Sequence, residues 1–251
     1  MKLYLVGGAV RRHLLGLDDT SDADFAVEAP TYMDMFRGVR DEYNGIIWQE
    51  RKQFVCVRAR ADFKDGDFGG VPFGTRINHG PVVRTNADFT LCRAETQYSD
   101  RRHPDTVTPC SILEDLSRRD FTVNAVAVRE DGTWLDPHQG RADAANHTLR
   151  CVGNTRQRML EDPLRLLRAV RFAVTDRLRL AAPLKDALNT HDIVDLLATL
   201  PHERVREELT KAMHHNWRET MLLLMVDAPY LGYTLSTKFP TLWFKPTTES
   251  R

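Results

Sequence analysis

The first thirty residues restrict the fold more than any other part of the chain. Leu3 to Val6 form a four-residue apolar run that stops at Gly7-Gly8. Residues 9–16 then read as a helix closed by Gly16, and residues 22–28 as a second strand carrying Asp22 and Asp24. A glycine bend opening a helix offers bare backbone N–H groups and the positive end of a dipole to an anion. Residues two apart on a strand face one side of a sheet, so both aspartates can aim at one spot. Like charges held that close call for a cation between them. A strand, glycine turn, helix and acid-bearing strand commit the chain to an α+β start. Together they point to chemistry on a nucleoside triphosphate.

The remaining chain reads as an ordinary globule of 251 residues, 42% apolar and 28% charged. No stretch approaches 18 apolar residues, and Leu3 to Val6 is too short for a signal peptide, so no membrane span is expected. Cys56, Cys92, Cys110 and Cys151 are scattered and form no Cys-x-x-Cys unit, which fits reduced thiols in a cytoplasmic protein. Lys plus Arg equal Asp plus Glu at 35 each, so net charge alone argues for no partner. Charge distribution says more: residues 1–50 carry nine acids against five bases, and residues 150–180 carry eight arginines against three acids. Such asymmetry fits a metal-binding side and a polyanion-binding side.

Beyond the opening unit, residues 31–40 read as a helix and 54–59 as a strand. Residues 62–86 hold five glycines and two prolines and read as a long irregular insertion or a pair of loose ribbons. Strand character resumes over Ala87 to Cys92, with Asp88, Thr90 and Cys92 on one face and Phe89 and Leu91 on the other. From about residue 111 the spacing becomes helical, over 157–174, 184–198, 202–215 and 217–226. Strands first and helices afterwards predict an α+β head with a small mixed β-sheet and flanking helices, followed by a helical neck. The expected boundaries are 1–140 for the head, 141–228 for the neck and 229–251 for a short irregular tail.

Three further constellations could carry chemistry. Asp88 is an acid in an otherwise apolar and hydroxylic strand, suited to be the third ligand of a two-metal site, or else a strand-edge aspartate facing water. The stretch Arg118-Arg119-Asp120-Phe121-Thr122-Val123-Asn124 places two arginines, an acid and an amide within ribose and phosphate reach, or forms a locally paired helix start. In Glu161-Asp162-Pro163-Leu164-Arg165-Leu166-Leu167-Arg168, residues 160, 164 and 167 make a buried stripe, while Asp162, Arg165 and Arg168 step by three across another face. A carboxylate and a guanidinium together could present acceptors and donors to a base edge. Alternatively, Asp162 is an N-cap before proline.

In their order along the chain, Gly7-Gly8-Ala9-Val10-Arg11, Asp22-x-Asp24, Arg118 to Ala125 and Glu161 to Arg168 resemble class II tRNA nucleotidyltransferases. These are the bacterial CCA-adding enzymes, close relatives of bacterial poly(A) polymerases. His202 to Leu209 resembles a later helical motif of that family, and Tyr98 to Pro104 its flexible basic loop. The resemblance implies that Asp22, Asp24 and Asp88 hold two Mg²⁺ ions, and that Gly7, Gly8, Arg11 and Arg168 meet the triphosphate. It further implies ribose contacts from Arg119, Asp120 and Asn124, and base templating by Asp162 and Arg165. The implied partners are a tRNA 3′ end, CTP and ATP.

Departures from the family pattern are Arg12 where an aspartate is usual, the 62–86 insertion, and little chain after the 202–215 helix. The last departure leaves the expected body and tail regions largely missing, and leaves room for a homodimer or a shortened substrate. The expected activity is addition of C and A to tRNA. The alternatives are poly(A) synthesis, partial CC or A addition, and a non-catalytic nucleotide or RNA binder. Gly7-Gly8 lacks the Gly-x-Gly-x-x-Gly spacing of a dinucleotide-dependent oxidoreductase.

Overall fold

The computed structural model describes residues 1–17, 23–73, 77–79, 82–98 and 104–239. Asp22 and most of the 98–104 basic loop therefore lie outside the described residues. The chain divides into two compact units, Met1–Ala145 and Asn146–Arg251.

In the first unit, β1 (Lys2–Val6) runs directly into α1 (Gly7–Leu14), then β2 (Ala23–Glu28), α2 (Tyr32–Glu42) and β3 (Ile46–Arg51). β4 (Cys56–Lys64), β5 (Ile77–His79) and β6 (Val82–Leu91) follow, then β7 (Arg93–Tyr98), β8 (Pro104–Pro109) and α3 (Ile112–Ser117). β9 (Ala127–Arg129), β10 (Trp134–Leu135) and α4 (Gly140–Ala145) complete the unit. The main sheet has the order β10-β9-β1-β2-β6-β4-β3, with β5 paired to β6. β2 and β6 run parallel and the other neighbours antiparallel, which makes the sheet mixed as expected. β7 and β8 form a separate two-stranded ribbon.

Local signals explain the helix starts. Thr31 caps α2 by accepting from the Asp34 N–H at 3.1 Å, and Ser111 and Glu114 form a capping box on α3. Gly7 takes φ +71°, a left-handed conformation that disfavours any residue with a Cβ. That bend lets β1 turn into α1 without an intervening loop.

The described parts of 62–86 include paired strand at both ends, as the ribbon reading expects, rather than an irregular insertion. β4 and β6 pair along their length, from Cys56 opposite Thr90 to Lys64 opposite Val82. Between them the chain folds back to bury Phe68, Val71 and Phe73. Phe25 lies at the centre of an aromatic cluster, its ring 5.0 Å from Phe63, 5.1 Å from Phe68, 5.7 Å from Phe73 and 5.3 Å from Phe89. Burying each phenylalanine contributes roughly 1.5–3 kcal/mol. Gly66, Gly69 and Gly70, all at positive φ, bend this apolar chain back onto the core.

The second unit contains β11 (Thr148–Leu149), α5 (Thr155–Glu161), α6 (Leu164–Thr175), β12 (Arg179–Leu180), α7 (Ala182–Ala187) and α8 (His191–Val194). α9 (His202–Leu222) and α10 (Pro229–Lys238) follow. The expected single helix over 157–174 is broken at Asp162-Pro163, because a proline disfavours helical geometry in the residue before it. The helix read from residue 184 likewise splits into α7, α8 and a tight turn over Asp195–Thr199. α6 packs against α9, where Arg171 Nε donates to Glu208 Oε2 at 2.6 Å. Residues 229–238 form α10 rather than part of an irregular tail. Pro229 stands at its first position, where a missing N–H costs nothing.

Candidate active site

One row of the sheet assembles the acidic site. Val6, the last residue of β1, lies opposite Asp24. Asp24 lies opposite Asp88 across the parallel β2–β6 pair. Asp88 in turn lies opposite Arg58 of β4. Registered residues share a face, so the strand pairing itself brings the two carboxylates together and sets Asp24 beside the glycine turn. The Gly8 N–H donates to Asp24. A Cβ added to Gly7 would sit 2.9 Å from Asp24 Oδ2, so the turn and the acid are fitted to each other.

Asp24 keeps oxygens reachable from solvent, yet the protein around it displaces most bulk water. Its carboxyl is pushed up to about 6, first by that desolvation and then by the charge of Asp88; Arg119 and Arg58 pull the other way. Asp88 does not face open water alone: Arg58 Nε and Nη2 grip its two oxygens at 2.6 and 2.7 Å. This two-point clamp is stronger than an ordinary surface pair. Arg58 gave no signal in the sequence, because only the β4–β6 register reveals its partner.

Two hard oxygen donors with a raised carboxyl between them suit a divalent cation. Among the described residues no group of three His, Cys, Asp or Glu side chains is placed to hold a metal. The expected third carboxylate, Asp22, is outside them.

The stretch after α3 forms a connected polar network beside this row. Arg11 Nη1 donates to Asn124 Oδ1 at 2.6 Å, and Asn124 Nδ2 donates to Asp120 Oδ1 at 2.9 Å. Asp120 also accepts from the Phe121 N–H at 2.8 Å. All three side chains are buried or nearly so. Arg118 and Arg119 converge on Asp115, which is 2% exposed; Nη2 of each meets a different oxygen, at 2.6 and 3.0 Å. Arg119 Nη1 also donates to the Asn124 carbonyl at 3.2 Å. Asp115 was missed in the sequence, although an acid three and four residues before two arginines on a helix is a legible signal. In this unit the structure gathers Gly7, Gly8, Arg11, Asp24, Asp88, Arg119, Asp120 and Asn124 from four separate stretches of chain.

In the second unit, Asp162 sits in the extended link between α5 and α6, where Oδ1 accepts from the Leu164 N–H at 3.0 Å. This is the capping role. Arg165 Nη1 donates to the Arg158 carbonyl at 2.8 Å and to Glu161 Oε2 at 3.0 Å. Its ion-pair partner here is therefore Glu161. Arg168 lies over the Phe172 ring, 5.3 Å from its centre.

An acid pair on adjacent parallel strands, next to a glycine turn that opens a helix, defines a nucleotidyltransferase-type head. Residues 3–150 match the family model described as the poly A polymerase head domain, and the chain belongs to that family. Among curated relatives, it is 35% identical over 234 residues to a CCA-adding enzyme of Levilactobacillus brevis, covering 92% of this chain and 48% of that protein. It is 41% identical over 144 residues to a CCA-adding enzyme of Limosilactobacillus reuteri, covering 55% of this chain and 35% of that one. The chain thus spans about half the length, or less, of these relatives.

Among solved structures, the Bacillus stearothermophilus CCA-adding enzyme in complex with CTP superposes with a TM-score of 0.69 at 27% identity, over 97% of this chain and 53% of that one. A tRNA nucleotidyltransferase complexed with a primer tRNA and an incoming ATP analogue gives 0.67 at 25% identity, over 97% and 61%.

Proposed function

We propose that the protein is a template-independent RNA nucleotidyltransferase that adds C and A to tRNA 3′ ends from CTP and ATP. The observation carrying this reading is the registered row of Asp24 and Asp88 beside the Gly7-Gly8 turn. Relatives named for CCA addition and structures holding CTP or a primer tRNA support it. Asp24 and Asp88, with Asp22, would hold divalent cations, in this reading two Mg²⁺ ions. A divalent cation held there would supply Lewis-acid chemistry at the primer 3′-hydroxyl and at the departing pyrophosphate.

The protein's own groups position the reactants. In the first unit, Gly7 and Gly8 at the start of α1 and Arg11 in its last turn receive the triphosphate; in the second unit, Arg168 is assigned a triphosphate contact of its own. Arg119 and the Asp120–Asn124 pair read the ribose, whose 2′-hydroxyl can both donate and accept. Asp162 and Arg165 select the base: polar groups built to meet one edge are left unpaired by another, which penalises G and U. For Arg165 this requires release from, or sharing with, Glu161.

The test is incubation with tRNA ending at its discriminator base, each nucleoside triphosphate in turn, and length analysis of the products. C addition from CTP followed by A addition from ATP is expected, with none from GTP or UTP. Absence of incorporation would refute the reading. A long A tract from ATP alone would reassign the protein to poly(A) synthesis, an activity that the family's description also accommodates.

A further inference from the structure

The sheet row that carries the acid pair does not end at Asp88. Arg58 continues it into β4, and its guanidinium carbon lies 5.5 Å from the centre of the Trp48 ring on β3, the edge strand. A bulge between Ile47 and Gln49 sets Trp48 apart from the regular pairing. Ile47 packs against the core while Trp48 is 56% exposed. An indole left half in water, steadied by a cation on one side, is costly surface unless something flat covers it.

The ground beyond Trp48 is basic and again aromatic. Arg51, Lys52 and Arg60 are exposed. Phe54, 39% exposed, lines an open groove with Glu50, Arg51 and Lys52. The acid in that groove is already engaged, since Tyr32 donates to Glu50 at 3.2 Å and Lys52 lies 3.9 Å from it. Val55 holds φ 44°, a genuine outlier for a β-branched residue, and closes the tight turn that presents Lys52 and Phe54. Interleaved cations and exposed rings track a single nucleic-acid strand: the cations follow phosphates and the rings stack on bases.

We propose that Trp48 is a stacking platform for a base of the single-stranded RNA end, with Arg51 and Lys52 holding the phosphates that lead to it. This rests on the nucleotidyltransferase reading for the identity of the RNA. Arg58 then has two duties on one face, clamping Asp88 and backing the indole, so that the RNA end and the acid pair are registered by the same side chain.

The test is binding of a short fluorescently labelled single-stranded oligoribonucleotide to the full chain, followed by anisotropy without nucleoside triphosphate. Trp48→Ala should raise Kd about 5- to 150-fold at unchanged thermal midpoint, since a base–aromatic stack is worth about 1–3 kcal/mol. Trp48→Phe should stay within about 3-fold of wild type, because phenylalanine can still stack. Arg51→Glu with Lys52→Glu should flatten the dependence of log Kd on log salt. ATP binding in the absence of RNA should be unchanged in Trp48→Ala.

The platform is overturned if Trp48→Ala binds the oligonucleotide within 2-fold of wild type, if Trp48→Phe fails as badly as Trp48→Ala, or if the wild type does not bind it. Because the assay involves no turnover, a protein that binds RNA through Trp48 but incorporates nothing would sink only the catalytic reading. Normal incorporation with Trp48→Ala binding intact would sink only this one.

Discussion

Replacing Asp115 by Asn tests whether one buried carboxylate organises the ribose side of the site. Its two oxygens receive four N–H contacts: Arg118 Nε at 3.0 Å and Nη2 at 2.6 Å, Arg119 Nε at 3.2 Å and Nη2 at 3.0 Å. Breaking a fully buried ion pair typically costs about 3–5 kcal/mol. Here the arginines are 30% and 21% exposed and can recover water, and asparagine keeps one acceptor, so about 2 kcal/mol is expected. With urea m-values of about 1–3 kcal/mol/M, that moves the midpoint by roughly 1 M at unchanged m. Fluorescence should be read in a Trp217→Phe, Trp243→Phe background, so that Trp48 and Trp134 report on the first unit.

The pH dependence supplies a second check on the same variant. Burial pushes the Asp115 carboxyl up, but Arg119 and Arg118 outweigh it and hold the group below the usual carboxylate range. Its contribution is therefore present above the unfolded value, near 3.9, and is lost as pH falls through the folded value. The deficit of Asp115→Asn should be full at pH 7 and shrink below about pH 4. An unfolding free energy within about 0.5 kcal/mol of wild type at pH 7, or a deficit that grows in acid, would refute the reasoning.

Asp24 has the opposite sign: its folded pKa is raised to about 6, so its contribution to stability is full below about 4 and declines as pH rises through 6. Asp24→Asn should therefore gain stability relative to wild type between pH 4 and 7 while losing incorporation; a thermal-midpoint series across that range that stays parallel to wild type would contradict this. Gly7→Ala puts a Cβ 2.9 Å from Asp24 Oδ2 at φ +71°. It should cost about 1–2 kcal/mol in chemical denaturation and a larger factor in kcat/KM than that loss explains; unchanged kcat/KM would separate the turn from the acid. Phe68→Ala should cost about 3–5 kcal/mol by urea denaturation, because Phe68 is fully buried among Phe25, Phe63 and Phe73. A loss below 1 kcal/mol would return residues 62–86 to the status of a dispensable loop.

What the sequence disclosed was what periodicity and spacing encode. The β1–α1–β2 order, the shared face of Asp88 and Thr90 on β6, and the α+β head followed by helices could all be read from short windows, whereas Cys92 lies past the end of β6 and is buried. The 62–86 segment could not, because its glycines and prolines are also what an apolar chain needs to bend back over a sheet. Phe68 and Phe73 become core residues through contacts with Phe25 of β2 and Phe63 of β4, which lie elsewhere in the sheet. Helix continuity across Asp162-Pro163 was misread for a simpler reason: the apolar spacing of 160, 164 and 167 runs across the break, although Leu160 is 36% exposed and only Leu164 and Leu167 are buried, and periodicity does not register a single extended residue.

The site residues that sequence reading overlooked, Arg58 and Asp115, share one physical character. Each is the countercharge of a residue that motifs do disclose, and its pairing is fixed by register or by helix turn. Asp88 and Arg119 carry the same electrostatic problem with opposite signs: a charge kept near Asp24 without collapsing onto it. Arg58 grips Asp88 from the next strand, and Asp115 on α3 grips Arg119 just past the helix end. Arg119 and Arg58 therefore lower the Asp24 carboxyl without bonding to it, while Asp88 raises it. The result is an acid held near neutrality by charges that are themselves anchored elsewhere. Such an acid can exchange a proton for a cation at modest cost, whereas a direct Asp24–Arg119 ion pair would have to be broken first. A change that frees Arg119 to close on Asp24 should therefore weaken Mn²⁺ binding even though it removes no ligand. Asp115→Asn is that change, and isothermal titration with Mn²⁺ is the measurement. Undiminished affinity in that variant would mean that the anchoring of Arg119 serves the ribose alone.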